Sequence, residues 1–468
     1  RADWCISRQR RWGLPIPVFY CKDCGKPVVT DETIETVSKL FAAEGSNAWF
    51  SKEAEDILPA GFACPHCGAK SGFEKETDTL DGWFDSGSTH YASMQKDQGF
   101  WPATVYMEGL DQYRGWFQSS LLIGVGALGK GAPFKECVTH GWTVDGEGKA
   151  MHKSAGNGMD PAEIINQYGA DILRLWAANT DYHADVRCSH EIFNQLRQNY
   201  LKFRNTARYC LGNLNGFDPN HLTAPGEMEE LDRWAVTKLN ALIEKCFAAY
   251  DEYEFLAATH AVNDFCVVDM SNFYLDVIKD RLYCDEENGA LRRSALSALF
   301  LILDTMTRIM APILCFTCDE IWQAMPHREE DDARNVLFND MHRPFTDYAL
   351  DAAAMEKWAV IETLRDKVNA ALETARSEKR IGKSLEAAVT LTVPEDQAWL
   401  ADTANLADLL IVSQAAVKTG PEAAVEVASA QGGKCERCWK ILPSVGHDAA
   451  HPTLCPRCAA AVAKLPQF

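Results

Sequence analysis

Thr104-Val105-Tyr106-Met107-Glu108-Gly109-Leu110-Asp111-Gln112-Tyr113-Arg114-Gly115-Trp116 changes character in its middle. The residues up to Glu108 are β-branched, aromatic and apolar, and the run is short enough for a buried strand. Beyond Gly109 the residues are polar, and a helix is expected to begin near Arg114. Phe134-Lys-Glu-Cys-Val-Thr-His140 is a second run of strand length, and apolar runs alternate with Gly-rich and charged turns from about 76 to 185. That alternation reads as an α/β sheet. The carboxyl ends of strands in such a sheet open into the ligand crevice, so Glu108, Gly109, Asp111 and Gln112 stand where a polar ligand would lie. Carboxylates there suit ammonium groups and sugar hydroxyls. An ordinary solvated turn uses the same residue types, and composition alone leaves both readings open.

Downstream, Gly146-Glu-Gly-Lys149-Ala-Met-His-Lys153-Ser154-Ala-Gly-Asn157 is a loop with glycine at both ends, two lysines and a hydroxyl. Such a loop can close over a polyphosphate, its ammonium opposing the charge that develops as pyrophosphate leaves. A solvated turn is again the plainer alternative. Asp160-Pro161-Ala-Glu163 marks a helix start: an N-cap acid, proline at the first helical position, an acid in the first turn. Gly124-Val-Gly126-Ala-Leu-Gly129 matches the dinucleotide fingerprint, and a nicotinamide-dependent oxidoreductase is the function it would imply. A fingerprint has to follow a strand and open a helix, whereas these glycines close one.

From about 186 to 345 the apolar period is helical: Leu231, Trp234, Ala235, Leu239, Leu242, Ile243, Cys246, Phe247 and Tyr250 recur at three and four, and similar stripes cover 256–283 and 291–314. The pattern is that of a helical bundle. The charged stretch Met325-Pro326-His-Arg-Glu-Glu-Asp-Asp-Ala-Arg334 is read as its solvated end. A further helix near 352–378 and a strand at 388–393 suggest a small α/β unit.

Eight of the 17 cysteines form four Cys-x-x-Cys knuckles. Cys435/Cys438 and Cys455/Cys458 are separated by 16 residues, a usual linker for a tetrahedral structural zinc site. Cys21/Cys24 and Cys64/Cys67 are 39 residues apart, with glycine after each knuckle, and are read as a second zinc site; a redox dithiol is the alternative for both pairs. Cys315 and Cys318 repeat the spacing inside an apolar helix with no second knuckle, and are read as core.

The chain has 468 residues, enough for two to four domains at ~100 to 200 each. With 46 Lys+Arg against 66 Asp+Glu, 47% hydrophobic and 24% charged residues, it excludes bulk disorder and a basic nucleic-acid tail. A charge of −20 is a sum, however, and a local basic surface can survive inside it. No apolar run approaches the ~18 to 20 residues of a membrane span, no signal-peptide pattern opens the chain, and the odd cysteine count suits a reducing compartment, so a cytoplasmic protein is expected.

Taken in order, Trp4-Cys-Ile-Ser-Arg-Gln-Arg-Arg-Trp-Gly-Leu-Pro-Ile-Pro17, Asp81-Gly-Trp-Phe-Asp-Ser-Gly87, Tyr106-Met-Glu-Gly-Leu-Asp-Gln-Tyr-Arg-Gly-Trp-Phe117 and Thr139-His-Gly-Trp-Thr-Val-Asp-Gly146 resemble the second half of class I aminoacyl-tRNA synthetases of the large branched-aliphatic group. Ala375-Arg-Ser-Glu-Lys-Arg-Ile-Gly-Lys-Ser-Leu-Glu-Ala387 and the final Cys-x-x-Cys pair resemble the bacterial isoleucyl branch, whose valyl and leucyl relatives lack that ending. The resemblance implies α/β plus all-α architecture: the end of a connective insertion with a zinc-ribbon-like module (1–75), the second half of a Rossmann-like catalytic domain (76–185), an anticodon-binding helical bundle (186–345), a small α/β linker domain (346–428) and a C-terminal zinc module (429–468). It implies a ligase that joins isoleucine to ATP, with Mg²⁺, and passes the acyl group to tRNA(Ile), acting as a monomer with zinc at one or both cysteine modules.

By the same resemblance Glu108 contacts the adenylate, Gly109, Asp111 and Gln112 line its amino-acid and ribose side, and Lys153 is the catalytic lysine of the KMSKS loop. Trp83 walls the amino-acid pocket, and Lys434, Arg437, Lys440 and Arg457 support RNA binding. The loop departs from the family pattern, with Ala150 and His152 in place of the first lysine and first serine; Lys149 is the candidate substitute for the missing charge. The family's His-Ile-Gly-His motif, opening nucleotide-binding strand and most of the editing domain find no counterpart here. The chain is therefore expected to be a fragment, inactive in adenylate formation by itself. A non-catalytic tRNA-binding module and a valyl- or leucyl-type relative are the alternatives.

Overall fold

The computed structural model describes residues 3–152 and 156–465. Two compact units result, one holding the residues up to Val144 with Tyr182–Val186, the other Asp145–Asp181 and the chain from Arg187 onward.

The first unit contains a small antiparallel sheet of β1 (Phe19–Cys21), β2 (Pro27–Val28) and β3 (Phe73–Lys75), with β1 in the middle. The spacer between the cysteine knuckles supplies α1 (Asp31–Glu44). Thr30 starts that helix reciprocally: its hydroxyl accepts from the Thr33 amide at 3.2 Å, and the Thr33 hydroxyl accepts from the Thr30 amide at 3.0 Å. Phe19, Val28, Val37 and Trp49 bury their side chains between helix and sheet. Trp49 also satisfies its indole N–H on the Glu76 carbonyl at 2.9 Å.

Beyond this module come α2 (Gly82–Gly87), β4 (Ala103–Gly109), α3 (Trp116–Leu122) and β5 (Phe134–His140). The two strand-like runs pair in parallel with Glu108 opposite Thr139 and Gly109 opposite His140, so both carboxyl ends finish at one edge. An aromatic stack closes one side of the pair: Tyr106 lies flat on Trp116 at 4.1 Å and 4.8 Å from Phe134. Parallel strands need a crossover, and the helical segment between them supplies it.

The second unit opens with α4 (Pro161–Tyr168), where the Asp160 carboxylate accepts from the Ala162 amide at 2.8 Å as the N-cap reading expects, and α5 (Ala170–Ala178). Long helices follow: α6 (His190–Asn213), α7 (Glu230–Asp251), α8 (Phe255–Asp264), the short α9 (Lys279–Cys284), α10 (Ala290–Met310), α11 (Cys315–Ala324) and α12 (Ala352–Ser377). Between α8 and α9 the helix widens to i+5 bonding over Phe265–Tyr274. Trp234, Leu239, Ile243, Phe300 and Trp322 are fully enclosed; each such side chain is worth ~1.5 to 3 kcal/mol relative to exposure. Cys318 joins this core, whereas Cys315 stays half-buried. The three-stranded sheet β6 (Ala387–Val393), β7 (Gln414–Thr419) and β8 (Ala424–Ser429) has β6 at its centre, and Ala387, Val389, Leu391 and Val393 alternate inward to the same core. The last helix among the described residues is α13 (Pro456–Ala463).

One expectation is overturned here. Helix α10 is buried continuously from Ser294 to Met310, and that stretch includes Asp304 and Arg308. Charges in such a place have to be paired. Asp304 accepts from Arg308 at 2.6 Å, Arg328 at 2.8 Å and His342 at 2.7 Å, and Arg308 also binds Asp331 at 2.5 Å. The stretch read as the bundle's solvated end therefore sends Arg328 and Asp331 inward, because the buried acid Asp304 takes Arg328 as a partner and the buried cation Arg308 takes Asp331. Among the described residues no helix is long and apolar enough to cross a membrane.

Candidate active site and metal centres

At the carboxyl edge of β4 the chain turns tightly through Leu110–Arg114 before α3. Gln112 organises this turn: its side-chain oxygen accepts from the Trp116 amide at 2.9 Å, and its amide nitrogen donates to Asp111 at 3.1 Å. Two glycines make room. A Cβ on Gly115 would stand 2.5 Å from the Gln112 oxygen and 3.1 Å from the Trp83 ring, and one on Gly109 would stand 2.8 Å from the Asp111 carboxylate and 3.6 Å from the His140 ring. Gly109, Asp111, Gln112, Trp83 and His140 are thus brought together, and Glu108 adjoins them, exposed at the strand end. His140 and Asp81 are contributors that sequence reading does not single out as site residues. Asp81, 6% exposed, caps α2 through the Trp83 amide at 3.3 Å and accepts from Trp4 at 2.9 Å and Arg8 at 2.8 Å, tying the amino-terminal basic stretch to the Trp83 turn. Burial, and after it the charge of Asp81, raises the Asp85 carboxyl above the ordinary aspartate range.

The loop expected to close over phosphate is framed by Asp145 and Asn157. Asp145 accepts from the Lys149 amide at 2.8 Å, the Glu147 amide at 3.0 Å and the Asn157 side chain at 2.8 Å. The Asn157 bond, followed by the Lys149 amide, holds the Asp145 carboxyl below its usual value. Asn157 in turn accepts from the His152 amide at 3.0 Å. Lys149 pairs with Glu147 at 2.6 Å, both exposed. Lys153 and Ser154, which the resemblance puts on this loop, lie outside the described residues. Nothing in the sequence pattern announces Asp145 and Asn157 except their position at the two ends of a glycine-bounded loop.

The dinucleotide fingerprint is not formed. Gly124 lies in a helical turn that continues α3, and a Cβ there would meet the Gly131 carbonyl at 2.7 Å, so close packing accounts for it.

Both cysteine modules converge. Cys21, Cys24, Cys64 and Cys67 have sulfurs within 4.8 Å of one another, as do Cys435, Cys438, Cys455 and Cys458. The Cys21–Cys67, Cys24–Cys64 and Cys438–Cys455 separations are 3.7, 3.8 and 3.9 Å. Four sulfurs at the usual Zn–S length of ~2.3 Å form a tetrahedron with edges of about 3.8 Å, so the donor sets fit zinc in number, softness and size. Knuckle amides favour thiolate: burial pushes Cys435 up, but N–H groups of Cys438, Cys455 and Arg437 outweigh it and bring the thiol down to about 6. The carboxyl-terminal set is wholly buried, whereas Cys67 is exposed and Cys24 half-buried.

The carboxyl-terminal module also corrects the reading of its cations as an RNA-binding patch. Arg457 binds Asp280 of α9 through both ends of its guanidinium, at 2.5 and 2.9 Å. Lys440 pairs with Asp280 at 3.4 Å and with Asp408, and Arg437 donates to the Cys284 carbonyl. Of the four, Lys434 alone is exposed, because the other three are engaged by Asp280 and the Cys284 carbonyl of α9 and by Asp408.

Comparison with known proteins agrees with this arrangement. Residues 1–189 match the family described as tRNA synthetases class I (I, L, M and V). Residues 232–391 match the anticodon-binding domain of tRNA ligase, and 432–461 the zinc finger found in FPG and IleRS. Isoleucine--tRNA ligases of Desulforamulus reducens and Geobacter sulfurreducens are each 48% identical over 99% of this chain and 51% of their own length. That of Caldanaerobacter subterraneus subsp. tengcongensis is 47% identical over 98% of the chain and 50% of its own. The chain thus spans about half the length of the curated relatives it matches. In fold, a ternary complex of Agrobacterium radiobacter K84 agnB2 LeuRS with tRNA and LeuAMS aligns with a TM-score of 0.55 at 20% identity, covering 84% of this chain and 44% of that one. With segments that match a class I synthetase family, an anticodon-binding domain and a zinc finger in succession, the chain is similar over nearly its whole length to isoleucine--tRNA ligases.

Proposed function

We propose that the chain serves isoleucine--tRNA ligation: ATP-dependent activation of isoleucine to its adenylate, then transfer to tRNA(Ile) in the cytoplasm. The observation that carries this reading is 48% identity to isoleucine--tRNA ligases over 99% of the chain. In this reading the isoleucine carboxylate attacks the α-phosphorus of Mg²⁺-bound ATP, the bond to the bridging oxygen breaks, and pyrophosphate leaves. A terminal ribose hydroxyl of tRNA then attacks the acyl carbon and AMP departs. Glu108 contacts the adenylate, while Gly109, Asp111 and Gln112 form its amino-acid and ribose wall, held by the bonds among Asp111, Gln112 and Trp116. Trp83 supplies an apolar face beside them. Lys153 opposes charge building on the leaving pyrophosphate, where a single well-placed donor is typically worth ~10²–10³ in rate.

Domain limits at about 75, 185, 345 and 428 separate the parts that would do this work. Zinc at the amino-terminal cysteines is part of the proposal, supported by the fit of four converging sulfurs, and its task is structural.

The deciding experiment is aminoacylation by the whole gene product with isoleucine, valine and leucine in turn. Charging of tRNA(Ile) with isoleucine, and its loss by ~10²-fold or more in kcat in Lys153→Ala, is the expected result. Preference for valine or leucine would overturn the substrate, and an unimpaired Lys153→Ala enzyme would overturn the lysine's role. A single extra methylene is worth only ~1 to 3 kcal/mol in a pocket, so the three amino acids have to be compared side by side.

A further inference from the structure

Helix α6 is out of keeping with an acidic chain. From Ile192 to Phe217, 26 consecutive residues contain no Asp or Glu, although the whole chain carries 66. Four cations fall in the helical part, Arg197, Lys202, Arg204 and Arg208, and all four are exposed. At 3.6 residues per turn Arg197, Arg204 and Arg208 lie within about 40° of one another on one face, spaced ~10 and ~6 Å along the axis. Phe193, Leu196, Phe203, Ala207 and Cys210, all buried, occupy the adjoining flank, about 40° to 140° round the helix from Arg197, so the arginines stand at the edge of the packed face and reach solvent. Among the described residues none of the four cations has an ion pair or side-chain hydrogen bond. That sets them apart from Arg437, Lys440 and Arg457.

A groove of about 470 Å³ runs beside this face, lined by Arg197, Tyr200 and Arg204 of α6, the Gly169–Ile172 turn and Phe316 of α11. Its one acid, Asp171, is spent on the amides of Phe316 at 3.3 Å and Thr317 at 2.7 Å. Across from the arginines, α5 begins at Gly169 with no side-chain cap, and a helix start carries a partial positive charge. Phe316 is 66% exposed at the rim. Unpaired guanidinium forks, the positive end of a helix and an exposed ring together match a ribose-phosphate chain: phosphates are held by the cations, and an unstacked base lies on the ring.

We propose that the acid-free face of α6, with the groove leading to Phe316, is a backbone contact for the tRNA; this rests on the tRNA-binding reading above. Phosphates sit on Arg197, Arg204 and Arg208, and an unpaired base meets Phe316. An acidic protein segment would suit the arginines but has no use for the exposed aromatic ring beside them.

The test is equilibrium binding of a tRNA(Ile) transcript to the 468-residue chain across a range of salt, for wild type, for R197Q/R204Q/R208Q, for F316A, and for K39Q/R334Q/K418Q, which removes three exposed cations elsewhere. Each phosphate contact adds ~0.9 to the slope of log affinity against log salt. The arginine triple variant should therefore bind at least tenfold more weakly, with a slope shallower by about 2 to 3, while the control triple keeps the wild-type slope. F316A should bind about fivefold or more weakly at unchanged slope. Circular dichroism melts establish that each variant is folded. If wild type binds and the arginine triple keeps its affinity and slope, the contact is refuted and the tRNA reading stands. If wild type itself does not bind the transcript, both fall. A poly-Glu peptide that competes as well as unrelated RNA would assign the face to an acidic protein and overturn the RNA contact.

Discussion

A chelator added to the zinc-loaded chain should withdraw metal in two steps, one equivalent in each, with the amino-terminal site emptying first. The order follows from reach. Cys67 is exposed and Cys24 half-buried, whereas all four carboxyl-terminal sulfurs are buried. The carboxyl-terminal module is also clamped, since Arg457 binds Asp280 bidentately at 2.5 and 2.9 Å. A charge-assisted hydrogen bond is worth ~1.5 to 3 kcal/mol in a protected place. Side-chain exposures of 37% and 20% reduce the bidentate pair to about 1.5 to 3 kcal/mol in total. Since ~1.4 kcal/mol is tenfold in rate or equilibrium, lifting the module to admit a chelator should make the second phase about 10 to 100 times slower. The assay is zinc release followed with a metallochromic dye in the native chain. Cys64→Ala should abolish the fast phase and Cys455→Ala the slow one, leaving one zinc per chain in each. Asp280→Asn should accelerate the slow phase about tenfold and leave the fast phase alone. A single phase for both metals, or a slow phase indifferent to Asp280→Asn, would refute the reasoning.

Three other outcomes can be checked. Asp304→Ala leaves Arg308 and Arg328 buried without their acid and should cost about 3 to 5 kcal/mol in urea unfolding followed by tryptophan fluorescence; a loss below ~1 kcal/mol contradicts the pairing. The same acid sets a pH dependence: burial raises its carboxyl, but the His342 bond and the Arg308 charge outweigh burial and hold it below the ordinary range. A lowered carboxylate contributes fully above its unfolded value of ~3.9 and loses that contribution as pH falls through the lowered one, so the stability gap between wild type and Asp304→Asn should narrow only below about pH 4 in thermal melts; a gap constant from pH 7 to 3 would exclude it. Gly115→Ala places a methyl 2.5 Å from the Gln112 oxygen and should lower kcat/KM for isoleucine activation by the whole gene product about 10- to 100-fold, whereas unchanged kinetics would show that Gln112 is not a wall of the site.

Much of the architecture is written in local pattern. The strand-turn-helix around Glu108, the Asp160-Pro161 helix start and the repeat of the Leu231–Tyr250 stripe are each decided within about twenty residues, where side-chain period and capping act. The cysteine spacing was equally legible, because a tetrahedral site needs two tight knuckles and little else. What local pattern could not convey is which charges meet. Arg328 and Asp331 look like solvent-facing residues in a charged loop until α10 puts Asp304 in the core beside them. Arg437, Lys440 and Arg457 look like an RNA patch until α9 presents Asp280 and the Cys284 carbonyl.

By itself, then, the amino-acid order determined the element types, the two four-thiol sets and the polar cluster at the end of the Glu108 strand, since each depends on neighbours along the chain. Only the tertiary structure decided which cations are spent and which stay free, and that Asp81, His140 and Trp83 join the Gln112 turn. An ionic or close-packed contact depends on the distance between residues tens to hundreds of positions apart. The packed fold alone sets that distance.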